Sequence, residues 1–166
     1  MKASYITVLG STVLAVLAVG CGGSTNSSSS SSAASAASSA TPASTAQVAH
    51  AFLSATGPVD TAYKTWKADL TAAGDNPLPL TSQASAYVSV LTTFDNTIVG
   101  IGATAKAKTD IAILVTDDNT VIADLNALSS QTSSTVSAWD TKGIADGLAA
   151  IAAGAVVRAD LGLPAS

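Results

Sequence analysis

Glutamate is missing from this chain: all eleven acidic residues are aspartates, set against six lysines and the lone Arg158. Charged residues amount to 11%, against roughly a quarter in an ordinary soluble domain. With one arginine and a net charge of −4, no basic patch is available to neutralise phosphates, which excludes nucleic acid as a partner. Cys21 is the only cysteine and His50 the only histidine, so neither an internal disulfide nor a Cys/His zinc set can form. Aromatics are 4%, and much of the remaining apolar content is alanine, so any core rests on few large side chains. A Gly-x-Ser-x-Gly elbow and a phosphate-binding Gly loop leading into Lys-Ser/Thr are both absent, which removes the commonest nucleophile and nucleotide motifs.

What is present begins with a leader. Lys2 is followed by the apolar segment Tyr5 to Leu9, then by a stronger run from Val13 to Val19, then by small residues. This is the order of a secretory signal. Gly10, Ser11 and Thr12 interrupt the apolar stretch, which falls short of the roughly 20 residues of a membrane span. The leader ends Leu17-Ala18-Val19-Gly20-Cys21, which resembles the bacterial lipobox. The resemblance implies acylation of the Cys21 sulfur, cleavage between Gly20 and Cys21, and acylation of the new amino terminus in many bacteria. Several acyl chains hold a protein stably on a bilayer where one does not. Removal of residues 1–20 takes Lys2 with it and leaves a net charge of −5.

Residues 21–44 are low in complexity: Gly22-Gly23, an unbroken run from Ser27 to Ser32, then Ala, Ser and Thr. No large apolar side chain lies beyond Cys21 in this stretch, so ordering it would cost entropy with nothing buried in return. A flexible tether of this length reaches roughly 25–30 Å.

From Thr45 the large apolar residues recur every three or four positions, the period of a helix. The first helix is expected over Thr45 to Ala73, with the stripe Val48, Phe52, Val59, Tyr63, Trp66 and Leu70, and a kink or short break at Gly57-Pro58. The second, about Ser82 to Ile101, carries the most regular heptad: Tyr87, Leu91, Phe94, Ile98 and Ile101. The third, about Ala103 to Ser129, lines up Ala107, Ile111, Leu114, Val121, Ile122, Leu125 and Leu128. Asp118 falls on that stripe where a hydrophobe is due, which predicts either a break at Asp117–Thr120 or, as preferred here, a continuous helix with a polar layer near an edge. The fourth, about Ser133 to Leu161, aligns Val136, Trp139, Ile144, Leu148, Ile151 and Ala155, weakened by Gly143, Gly147 and Gly154. Residues 45–166 therefore read as an all-α domain, an antiparallel up-down-up-down four-helix bundle. The alternative is three helices with a loosely docked first segment.

A Ser/Thr/Ala tether ahead of an Ala-rich bundle, with Tyr87-x3-Leu91-x2-Phe94-Asp95-x2-Ile98 and the ending Arg158-Ala159-Asp160-Leu161-Gly162-Leu163-Pro164, resembles small actinobacterial lipoproteins of unknown function. The likeness covers roughly residues 45–166 and implies no activity.

Chemistry is sparse. His50 near a helix start reads as a surface residue. Asp117, Asp118 and Asp124 lack the glycine and the glutamate that an EF-hand loop needs, and read as a solvated face or cap. Asp95 is expected to pair with Lys106 or Arg158. Trp66, Tyr87, Phe94 and Trp139 are the candidates to line an apolar ligand pocket. No cofactor, metal or catalytic residue is assigned. The chain is expected to be an extracytoplasmic protein held on the outer face of the membrane through Cys21. Its helical module would be non-enzymatic, acting by interaction with an envelope protein or as a structural component of the envelope; the alternative is a binder of small apolar ligands.

Overall fold

A computed structural model describes residues 43–165, and among these the architecture is an all-α four-helix bundle without strands. The helices are α1 (Thr45–Ala73), α2 (Thr81–Val99), α3 (Ala105–Ala127) and α4 (Val136–Asp160), with single 3-10 turns at Leu78–Leu80 and Leu128–Ser130. Each helix packs along its sequence neighbour, and α3 against α4 is the most extensive pairing. Among the described residues, none of these helices is long and apolar enough to cross a membrane.

Local chemistry sets the ends. Ser44 opens α1 with a reciprocal cap: its Oγ accepts from the Gln47 amide at 3.3 Å, and its own amide donates to Gln47 Oε1 at 2.8 Å. Thr104 caps α3 through the Ala107 amide. Gly74 ends α1 at φ 60°, a left-handed value that favours glycine. Pro58 does not break α1, which is helical through it. Val48 and Phe52 are buried on one side of the proline and Trp66 on the other, and Val59 packs against both parts of the core. Continuous burial on both sides outweighs the one backbone donor that Pro58 lacks.

The core has two clusters. One gathers Phe52, Phe94, Ile98, Ile111, Leu114 and Val157, with the Phe52 and Phe94 rings edge-to-face at 6.1 Å. The other gathers Trp66, Leu80, Leu91, Leu125 and Leu128, with Tyr87 and Trp139 packed against it. The second helix turns in the heptad face expected of it.

Two stripes differ from expectation. Tyr63 is largely at the surface. More consequentially, α4 turns the other way: Val136, Ala150, Ala153, Val157 and the following Leu161 are buried, and Trp139, Gly143 and Gly147 lie on the same side. Ile144, Leu148 and Ile151 face outward, 56%, 59% and 52% exposed. This helix is apolar nearly all round, so periodicity alone does not choose its buried face. The large ring of Trp139 outweighs any one aliphatic, and Ala150, Ala153, Val157 and Leu161 carry the buried side onward.

Ile98, which is fully buried, should cost about 2–5 kcal/mol when cut to alanine. Leu148→Ala should stay within roughly 0.5 kcal/mol. Urea unfolding of the two variants checks the assignment, since a rotated α4 would make the Leu148 change the expensive one of the pair.

Candidate functional site

The seam between the two clusters is polar. On α3 the clusters change over between Leu114 and Val121, and on α2 between Leu91 and Phe94, one residue before Asp95. Asp118 occupies the α3 side and Asp95 the α2 side, only 5% and 7% exposed. The third helix is thus continuous, with Asp118 in a polar layer as preferred above.

Among the described residues no cation pairs with either carboxyl. Asp95 meets neither Lys106 nor Arg158, contrary to expectation. Lys106 is held by Asp110 at 2.9 Å and by Asp160, both along the α3–α4 seam. Arg158 Nε donates to the Pro164 carbonyl at 3.0 Å. Asp95 Oδ1 and Asp118 Oδ2 are buried without a hydrogen-bond partner. Burial pushes the Asp118 carboxyl up to about 7, and the nearby Asp95 adds to the rise. Burial also lifts Asp95, to about 6, while hydrogen bonding with Asp118 favours its charged form. Each carboxyl therefore keeps its proton to higher pH than a free aspartate, so the pair favours sharing one, Asp118 holding it the more strongly. Tyr87 stands close by, its phenol pushed up first by burial and then by Asp118, Tyr63 and Asp60.

Beside the pair, a small cleft of about 150 Å³ opens between α2 and α3, walled by Thr92, Asp95, Asn96, Val115, Asn119 and Ile122. A wider groove of about 480 Å³ runs between α1 and α2 past Ala51, Ala55, Pro58, Val90 and Phe94. Of the four aromatics expected to line a pocket, Phe94 alone borders either cleft. Trp66, Tyr87 and Trp139 come together, but as filling of the second cluster. The calcium candidates part company: Asp118 turns to Asp95, while Asp124 accepts from Lys142 at 2.6 Å. His50 is exposed on α1. Gly20 and Cys21, the cleavage and lipidation positions, lie outside the described residues.

A clasp fixes α4 on α3. Lys142 bridges Asp124 and Asp146, each at 2.6 Å, and Trp139 Nε1 donates to the Asp124 carbonyl at 2.6 Å. Asp124 is buried and Lys142 stays exposed at the edge of the contact; on the opposite side of α4, Ile144, Leu148 and Ile151 form an apolar strip that is exposed among the described residues. A contiguous apolar patch of a few hundred Å² on a soluble surface is often functional. Sequence reasoning placed these residues in the core. The signal that pointed the other way was the alternative small stripe Gly143, Gly147, Ala150 and Gly154.

Compared with family models, with curated proteins and with solved structures, the chain finds no match in any of the three.

The acid pair makes stability depend on pH in a defined direction. Both folded-state values are raised above the ordinary 3.8. The folded chain therefore binds more protons than the unfolded one between about pH 4 and pH 7, and stability falls as pH rises through that window. Below about pH 4 the opposite holds for Asp110, held low by Asp160 and Lys106, and for Asp146, held low by Lys142 and Asp124. The thermal midpoint should peak near pH 4–5 and drop on the order of 5 °C or more by pH 8. Asp118→Asn should flatten that decline; an unchanged slope in melts across the series contradicts the shared-proton description.

Proposed function

We propose that this is an extracytoplasmic lipoprotein, held on the membrane by acyl chains on Cys21, whose helical domain acts by protein–protein contact rather than by catalysis. The carrying observation is the strip Ile144, Leu148 and Ile151, large side chains left outward on a well-packed helix. Burial of such side chains contributes about 1.5–3 kcal/mol each, so leaving three outward suits a surface that meets another protein. The anchor reading rests on the lipobox-like ending at Cys21 and the Ser-rich segment after it.

A second reading, capture of a small apolar ligand, draws on the groove between α1 and α2. Its roughly 480 Å³ and its Ala55, Val90 and Phe94 lining suit such a molecule in size and character. Trp66, Tyr87 and Trp139, committed to the core, play no part in it.

Cell fractionation of the native host tests the anchor. The unaltered chain should stay with membranes, and mass spectrometry should find it cleaved before Cys21 and heavier by its acyl groups. Cys21→Ser should release it or leave it unprocessed. An unacylated native Cys21 would remove the anchor from the proposal.

A further inference from the structure

We infer that the chain pairs with a second copy of itself through α4, the two fourth helices packing antiparallel about a two-fold axis. This rests on the reading of α4 as the contact face, and names its partner.

The first argument is shape. An interface between identical copies must complement itself, with each residue meeting a different one across the axis. Along the outer side of α4, bulk is concentrated at Ile144, Leu148 and Ile151, while Ala145, Ala152 and Ala155 leave depressions. In an antiparallel pair centred near residue 149, Leu148 and Ile151 of both copies gather around the axis. Ile144 then lies over the partner's Ala155. Large meets small at each end, as ridges fill grooves.

The second argument is charge. Between Asp146 and Arg158 the helix carries no charged residue. The strip is flanked on one side by Asp140 and Arg158, eighteen residues apart and therefore on the same line of the helix. Among the described residues Asp140 enters no ion pair, nor does Arg158, whose Nε is taken by a backbone carbonyl. A two-fold axis preserves the flank and reverses the direction. Asp140 of one copy then faces the partner's Arg158, and the same pair recurs at the other end. No sliding or parallel arrangement satisfies both at once.

The third argument is extent. Ile144, Leu148 and Ile151 are each more than half exposed with Ala155 among them, so two copies set six large apolar side chains against one another as the centre of a small interface. A lipid surface fits less well: interfacial helices carry basic polar faces, whereas Lys142 is engaged with two aspartates and the chain is acidic.

Cysteine cross-linking of the full chain in native membranes tests this. Leu148→Cys, near the axis, should yield a doubled-mass species with a short bis-maleimide. Lys108→Cys, exposed on α3, should stay at background. Asp140→Arg added to Leu148→Cys should cut the yield several-fold, and a further Arg158→Asp should restore it. The unaltered chain keeps the anchor reading separate, since it cross-links only if Cys21 is unacylated. Yield at position 148 no higher than at 108 overturns the dimer. So does failure of the double charge exchange to rescue. An environment-sensitive dye at position 148 that reports bilayer on phosphatidylglycerol vesicles, with background cross-linking, also overturns it and gives the face to lipid.

Discussion

The rotation of α4 about its own axis governs the surface of this domain. It is set by a small polar clasp: Lys142 between Asp124 and Asp146, with the Trp139 indole on the Asp124 carbonyl. Exposed ion pairs contribute little individually. Here they choose between two faces that are both apolar, so small differences decide. Trp139, Val157 and Leu161 go inward together with Ala150 and Ala153, and Ile144, Leu148 and Ile151 are left outside. A chain with so few aromatics packs this helix largely on small and branched side chains. Its spare large side chains become available for contact with another molecule.

The acid pair imposes a second constraint. Asp95 and Asp118 lie near where the two clusters meet, with Val59 packing against both. Keeping them there costs the burial of carboxylates with no base paired to them among the described residues. The cost is moderated because burial favours the neutral form of each carboxyl over two charges. Lys106 and Lys142 at the α3–α4 seam are turned to other acids, so ion pairs gather at that seam while the inner acids favour neutrality. A polar layer of this kind also limits how α2 can slide along α3, because a register shift would set a carboxylate against leucine.

The clefts matter less to the fold than to its surface. The groove beside Phe94 exists because α1 presents Ala51, Ala55 and Pro58 to α2 where larger residues would have filled the space. The aromatics expected to line a pocket are instead the scarce aromatic bulk on which the second cluster depends.

Helix number, approximate ends and the inward faces of α2 and α3 were all legible from spacing, because those helices have one apolar side each. The polar layer at Asp118 was legible for a related reason: a carboxylate on an apolar stripe is a local violation that needs no partner to be recognised. Continuity through Pro58 was not, since it depends on clusters formed with other helices on both sides of the proline. Nor were the companion of Asp118, the true partners of Lys106 and Arg158, or the buried side of α4. Those are choices among alternatives of nearly equal local energy, and only the approach of a neighbouring helix supplies the energy difference that separates them.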